Sequence, residues 1–252
     1  DKLVVLDRVN PIGRKIQGPI MKKKFMSFVG LHPVPVRHGL TIGEFALMIK
    51  SMNWIKKSEY LDLEIIKAEN WNSSFTDIKI PPSPNIPDLE TALIYNGICL
   101  FEGTNVSEGR GTNYPFKVIG APWIDKTMLL NELQKYKLDG TSIDTISFIP
   151  ESISGKSTNP KYLKEKCNGI VIKVTDMGTF HPLKLSLAIM KSIYRLYPEN
   201  FKFLESGFIN NLYGSNELMN GVINEVSFEE FILSWKKEAN VFFEQTKHYR
   251  LY

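Results

Sequence analysis

A two-part α/β fold is what this sequence of 252 residues predicts, and three observations predict it. Strand-like and helix-like apolar patterns alternate along its length. A stretch rich in serine, asparagine and proline interrupts them at residues 71–88, with prolines at 81, 82, 84 and 87. Hydrophobic residues make up 43% and charged residues 23%, which supplies a core and leaves too little polar bias for disorder. We place the boundary near residue 80, dividing the chain into segments 1–80 and 81–252.

The first element is the run Leu3-Val4-Val5-Leu6, ended by Asp7. Apolar residues facing both ways predict a parallel strand buried on both faces. Such a strand needs neighbours, so the sequence is expected to begin inside a domain. Asn10-Pro11-Ile12-Gly13 is turn chemistry at the strand's carboxyl end, the edge where open α/β sheets bind ligands. Residues 27–36 are short and proline-punctuated, which predicts a loop with strand fragments. Thr41 and Glu44 have the spacing of a capping box, and Phe45, Met48, Ile49 and Met52 form a helical stripe to about Trp54. Residues 61–68 alternate as a strand does.

Beyond the proline-rich stretch, residues 89–95 predict a short helix and 97–101 a buried strand. A long polar loop with three glycines follows at 102–115. Asp125 is a helix N-cap, and that helix is expected to run to about Lys137, with a strand at 143–149 behind it. Residues 169–175 alternate well. Pro182 suits the first turn of a helix ending near Tyr197. Ser215 opens another helix, and Ser227 with Glu230 forms a second capping box.

Several function classes drop out. The net charge of +4 is spread along the chain, and its densest cluster, Lys22 to Lys24, has no interleaved aromatic residues. That reads as a solvated loop and predicts no nucleic-acid partner. No apolar run approaches the ~20 residues of a membrane span. Cys99 and Cys167 each lie in or beside an apolar run, so buried free thiols are the default and a disulfide between them stays open. No Cys/His pair has zinc-ligand spacing, and no glycine-rich nucleotide fingerprint occurs, so neither metal nor cofactor is expected. With no Gly-x-Ser-x-Gly elbow and no histidine near either cysteine, covalent acyl chemistry has no support.

The chemistry-bearing stretch is Glu102-Gly103-Thr104-Asn105-Val106-Ser107-Glu108-Gly109-Arg110-Gly111-Thr112. Loops that only connect rarely hold an acid, an amide and a guanidinium so close together. Glu102 and Asn105 can share hydroxyl hydrogens, and Arg110 offers a planar fork for a carboxylate. An internal ion pair that closes a long loop explains the same residues equally well. Arg37-His38-Gly39 stands before the first capping box, at a helix N-terminus where anions are favoured. Asn85 is presented between Pro84 and Pro87, in a turn.

Taken together, several motifs resemble one family. They are Val5-Leu6-Asp7-Arg8 with Asn10-Pro11-Ile12-Gly13, Pro35-Val36-Arg37-His38-Gly39-Leu40-Thr41-Ile42-Gly43-Glu44, and Pro82-Ser83-Pro84-Asn85-Ile86-Pro87. Cys99-Leu100-Phe101-Glu102-Gly103-Thr104-Asn105, Gly109-Arg110-Gly111-Thr112, Gly120-Ala121-Pro122-Trp123 and the closing Tyr249-Arg250-Leu251-Tyr252 complete the set. The chain resembles the NamZ family of exo-β-N-acetylmuramidases, long grouped as a domain of unknown function. The resemblance implies a Rossmann-like, mostly parallel domain followed by a smaller α/β C-terminal domain, with a cleft between them. It implies release of terminal N-acetylmuramic acid from the non-reducing end of peptidoglycan fragments, hence a peptidoglycan-derived saccharide or muropeptide as partner and a periplasmic or secreted location.

The resemblance also implies roles. Muramic acid carries a lactyl ether with a carboxylate, which an arginine fork can grip for ~1.5–3 kcal/mol. Arg110 is the first candidate and Arg37 the second, with His38, Asn85 and Asn105 as further substrate contacts and Glu102 as the catalytic acid. Relatives carry a Gly-Pro-Glu-His-Gly motif before the first strand, and its Glu is the expected second carboxyl group. That motif is not in these residues, so the chain is expected to represent the family's fold without the N-terminal part of the Rossmann-like domain. Arg14 stands where many relatives have a second glycine. Two readings of another class accompany the glycosidase: a sugar-binding protein without catalysis, and a nucleotide-binding α/β domain, which the missing fingerprint disfavours.

Overall fold

The computed structural model describes residues 2–71, 75 and 77–252, so part of the expected linker lies outside the described residues. The first part contains β1 (Lys2–Leu6), β2 (Gln17–Ile20), β3 (Pro35–Arg37), α1 (Ile42–Ser51) and β4 (Asp62–Ile66). β1 and β4 run parallel, with Leu3 opposite Leu63 and Val5 opposite Ile65, and α1 is packed against both. The crossover through α1 is what parallel pairing requires. β2 and β3 form a separate antiparallel pair.

One expectation for this part needs correction. Leu3 and Val4 are 46% exposed and Leu6 70%, so β1 is not buried on both faces. Among the described residues only β4 pairs with it.

The second part contains α2 (Leu89–Ile98), β5 (Val118–Ala121), α3 (Lys126–Leu133), β6 (Thr141–Phe148), β7 (Cys167–Val174), α4 (Pro182–Leu196), α5 (Phe208–Tyr213), α6 (Glu217–Ile223) and α7 (Phe228–Thr246). Its three strands form an antiparallel sheet in the order β5-β7-β6, with Ile170 and Ile172 of β7 in the main core. α4 is amphipathic at the helical period and buries Leu183, Leu187, Met190 and their neighbours against α2 and the sheet. Asp125 caps α3 by accepting from the backbone N–H groups of Thr127 and Met128, as the sequence predicts.

Residues 97–101 are not a strand. α2 continues to Ile98 and tightens into a 3₁₀ segment, Cys99–Gly103. An apolar run of this length does not distinguish a buried helix end from a strand. The decisive contact is tertiary: a Cβ on Gly97 would lie 2.1 Å from the Pro182 carbonyl oxygen, so α2 and α4 meet backbone to backbone there. Both cysteines are buried free thiols.

The end of the chain returns to the first part. Asp7, at the end of β1, is buried and accepts from Gly43 N (2.7 Å), Thr41 Oγ1 (2.8 Å) and Tyr252 Oη (2.8 Å). Glu44, fully buried, completes the capping box with Thr41 and also accepts from Arg14 Nη2 and Leu251 N, both at 2.8 Å. Gly43 makes room for this cluster, since a Cβ there would come within 2.7 Å of Asp7 Cγ. Tyr252 Oη in turn accepts from Ala68 N at 2.8 Å. We expect Tyr252→Phe to destabilise the fold by about 1–2 kcal/mol, because it leaves a buried carboxylate and a backbone N–H short of a partner. Urea denaturation measures this; an unchanged midpoint would show that water replaces the hydroxyl at no cost.

Candidate functional site

The two parts enclose a cavity of about 420 Å³. Its wall from the first part carries Phe28, Leu31, His32 and His38; from the second it carries Tyr95, Asn96 and Glu102. Tyr95, Cys99 and Glu102 stand at i, i+4 and i+7, so the helix and its 3₁₀ extension turn one stripe toward the cavity. Gly103 ends that stripe against α5, where a Cβ would sit 2.6 Å from Ile209 N.

Glu102 is fixed by Arg110, whose Nε (3.0 Å) and Nη2 (2.5 Å) both donate to Oε1. Oε2 has no hydrogen-bond partner among the described residues. The turn that brings Arg110 back over Glu102 has Gly109 at φ +79° and Gly111 at φ +78°, conformations that favour glycine. The guanidinium lies 4.9 Å from the Phe116 ring centroid. On its other side Arg110 approaches Glu108 at 3.6 Å, and Lys161 donates to Glu108 Oε2 at 2.8 Å and to the carbonyls of Phe101 and Val106. Glu102, Arg110, Glu108 and Lys161 thus form a chain of alternating charge, and only Glu102 of the four lines the cavity.

Two cavity groups have their protonation set by burial. His38 Nδ1 accepts from Leu40 N at 3.1 Å, so the neutral ring carries its proton on Nε2. Burial, aided by Arg250, lowers its pKa to about 4. Burial raises Tyr95 to about 12, with Cys99 and Glu102 adding to the shift, and the phenol stays protonated. Among the described residues its hydroxyl has no hydrogen-bond partner. Asn96 donates to Ala92 O at 2.7 Å, which uses one of its two amide N–H groups and orients the side chain, leaving the carbonyl oxygen to accept.

The remaining expected substrate contacts are placed elsewhere. Arg37 is 1% exposed; its Nη1 donates to Gln17 Oε1 at 2.9 Å and its Nη2 to the Ile12 carbonyl. It is an internal strut between β2, β3 and the Asn10–Gly13 turn, because β3 turns it inward, and burial lowers its pKa to about 10. Asn85 is buried and donates to Lys156 O at 2.9 Å. Asn105 donates to Asn200 O and accepts from Lys202 N, so both ends of its amide hold the backbone of another loop. Arg110 is spent on carboxylates of its own loop. Among the sequence candidates, Glu102 and His38 meet at the cavity. His32 and Asn96 carry no signal in the sequence, and Tyr95, which flanks the loop there, reads as core; continuing α2 past residue 96 exposes the Tyr95–Glu102 stripe.

A larger, open groove of about 780 Å³ lies where α4 and α7 meet the end of α3, lined by Lys191, Arg195 and Glu225 among others. None of the expected site residues lines it. Among the described residues, no group of three or more His, Cys, Asp or Glu side chains could hold a metal ion, and no helix is long and apolar enough to cross a membrane.

Fold and cavity define a two-part α/β protein with an arginine-held carboxylate on the wall of its inter-part cleft. The chain belongs to the exo-β-N-acetylmuramidase NamZ family: the N-terminal family model matches residues 1–90 and the C-terminal model residues 93–252. It is 38% identical over 255 aligned residues to the peptidoglycan β-N-acetylmuramidase NamZ of Bacillus subtilis (strain 168), covering 99% of this chain and 59% of that protein. Two solved structures of DUF1343 family proteins from Bacteroides fragilis NCTC 9343 have the same fold over the whole chain and 66% of their own length. Their TM-scores are 0.89 at 24% identity and 0.79 at 31%. The chain therefore spans about three-fifths of the curated relative and about two-thirds of these structures.

The buried histidines make stability pH-dependent. His38 titrates at about 4 in the fold, and His181, the N-cap of α4, at about 3, against an ordinary 6.5. The unfolded chain takes up these protons first, so stability falls as pH drops from about 6.5 toward 4. His38→Gln should make the melting temperature fall less steeply across that window. An unchanged slope would place the titrating groups elsewhere.

Proposed function

We propose that this chain carries the cleft of a glycoside hydrolase that releases terminal N-acetylmuramic acid from the non-reducing end of peptidoglycan fragments. The observation that supports it best is Glu102: a carboxyl group on a cavity wall, gripped through one oxygen and offering the other. Family membership supports the substrate class, a peptidoglycan-derived saccharide or muropeptide. That substrate implies a periplasmic or secreted location. Glu102 would protonate the leaving glycosidic oxygen or stabilise the developing positive charge at the sugar ring. Tyr95 and His38, both neutral, would donate to sugar hydroxyls or to the acetamide carbonyl.

A second reading has its own support. Glycoside hydrolysis ordinarily takes two carboxyl groups, and Glu102 is the one that lines the cavity among the described residues. On that reading the 252 residues bind the sugar, and turnover needs a further carboxyl group, such as that of the family's Gly-Pro-Glu-His-Gly motif.

Turnover of a chromogenic N-acetylmuramic acid glycoside separates the two. If the chain is active, Glu102→Gln should lower kcat by about 100-fold or more; near-normal turnover would reduce Glu102 to a structural role. Calorimetric binding of N-acetylmuramic acid without turnover would establish the second reading.

A further inference from the structure

The lactyl carboxylate distinguishes muramic acid from glucosamine, yet both arginines expected to grip it are engaged elsewhere. No lysine or arginine is among the described residues lining the cavity. The groups there that can become positive are His32 and His38. His38 is disqualified on two counts: its Nδ1 is taken by Leu40 N, and the neighbouring Arg250 opposes a second positive charge.

His32 differs in each respect. Among the described residues neither ring nitrogen has a hydrogen-bond partner, although the ring is held in place. Trp54 stacks on it with centroids 5.1 Å apart at 16°, and Phe45 meets it nearly at right angles at 5.7 Å. A histidine clamped between aromatic rings with both nitrogens unspent is a preorganised binding group. We propose that His32 is the carboxylate-recognising residue of the cleft, taking up a proton from solvent as an acidic sugar binds.

The direction of its titration agrees. In the free protein burial alone lowers the His32 pKa, so the ring is mostly neutral near pH 7. A bound carboxylate reverses that balance, and binding then draws in one proton. Phe45 and Trp54, which pack on the ring, do not titrate. Of the other titratable groups on the wall, His38 stays neutral above about 4, and burial pushes Tyr95 and Cys99 to about 12 and Tyr213 upward as well. Glu102 faces acidic and neutral sugars alike, so its effect cancels in a ratio of their affinities.

This inference rests on the proposed saccharide site, and calorimetry of the full chain distinguishes the failure of each. The probes are N-acetylmuramic acid and N-acetylglucosamine, from pH 5.5 to 7.5, in two buffers of different ionisation enthalpy. Wild type should prefer the acidic sugar roughly tenfold more at the lower pH, with net proton uptake on binding. His32→Gln should abolish both the preference and the uptake. His32→Lys should restore a preference that no longer varies with pH. An acidic-sugar preference indifferent to pH and to both substitutions would overturn the assignment and leave the site standing. If neither sugar binds wild type, the site and the assignment fall together.

Discussion

Two buried carboxylates at the first turn of α1 hold the molecule together. Asp7 closes β1, Glu44 closes the capping box, and between them they accept from Thr41 and Gly43 at the start of α1, from Arg14 and from the last two residues of the chain. Buried carboxylates are costly unless each lone pair is answered, so this cluster leaves few alternative arrangements. α7 reinforces it: Glu238 accepts from Ile20 N at 2.7 Å, and Phe242 joins Leu40 and Met48 in a small core of their own. The second part thereby clasps the first at a point distant in sequence. The cavity depends on that clasp, because its two walls belong to different parts and neither part alone encloses it.

The loop after α2 answers the question the sequence left open. Its acid and guanidinium do form an internal ion pair, as the loop-closing reading holds, while its amide ties the loop to residues 200 and 202, and the acid also faces the cavity. The two roles are compatible because Arg110 contacts a single oxygen of Glu102. A fork held by carboxylates on both sides is a poor partner for a third carboxylate, which is why Arg110 serves better as a positioning residue than as a substrate grip. Arg110 fixes where the Glu102 oxygens lie, and Lys161 fixes the far end of the chain through Glu108 and two backbone carbonyls.

Features governed by near neighbours were legible. The Thr41–Glu44 capping box, the Asp125 cap, Pro182 at the start of α4 and the alternation of β7 all depend on residues within one turn or one strand. What escaped depends on distant partners. Asn85 and Asn105 look like presented loop amides, but they hold backbone 71 and 95 residues away, and no local pattern records that. Arg37 beside a helix N-terminus reads as an anion site until β3 is seen to turn it inward. The misread of residues 97–101 had the largest consequence. A strand at 97–101 breaks the helical period between Tyr95 and Glu102 and conceals that Tyr95, Cys99 and Glu102 share one face.

The character of the cleft narrows what fits it. One wall is aromatic and aliphatic: Phe28 is 96% exposed at its rim, with Leu31 and the stacked His32 beside it. The other presents a phenol, an amide oxygen and a carboxylate. A pyranose ring has this same division, with C–H faces that pack on aromatic surface and polar edges that need both donors and acceptors. A nucleotide would bring phosphates into a cavity where no lysine or arginine is among the described lining residues, and where Glu102 would repel them. A sugar whose only charge is one carboxylate asks much less: a single group that becomes positive when needed, and the aromatic wall that carries His32 offers one.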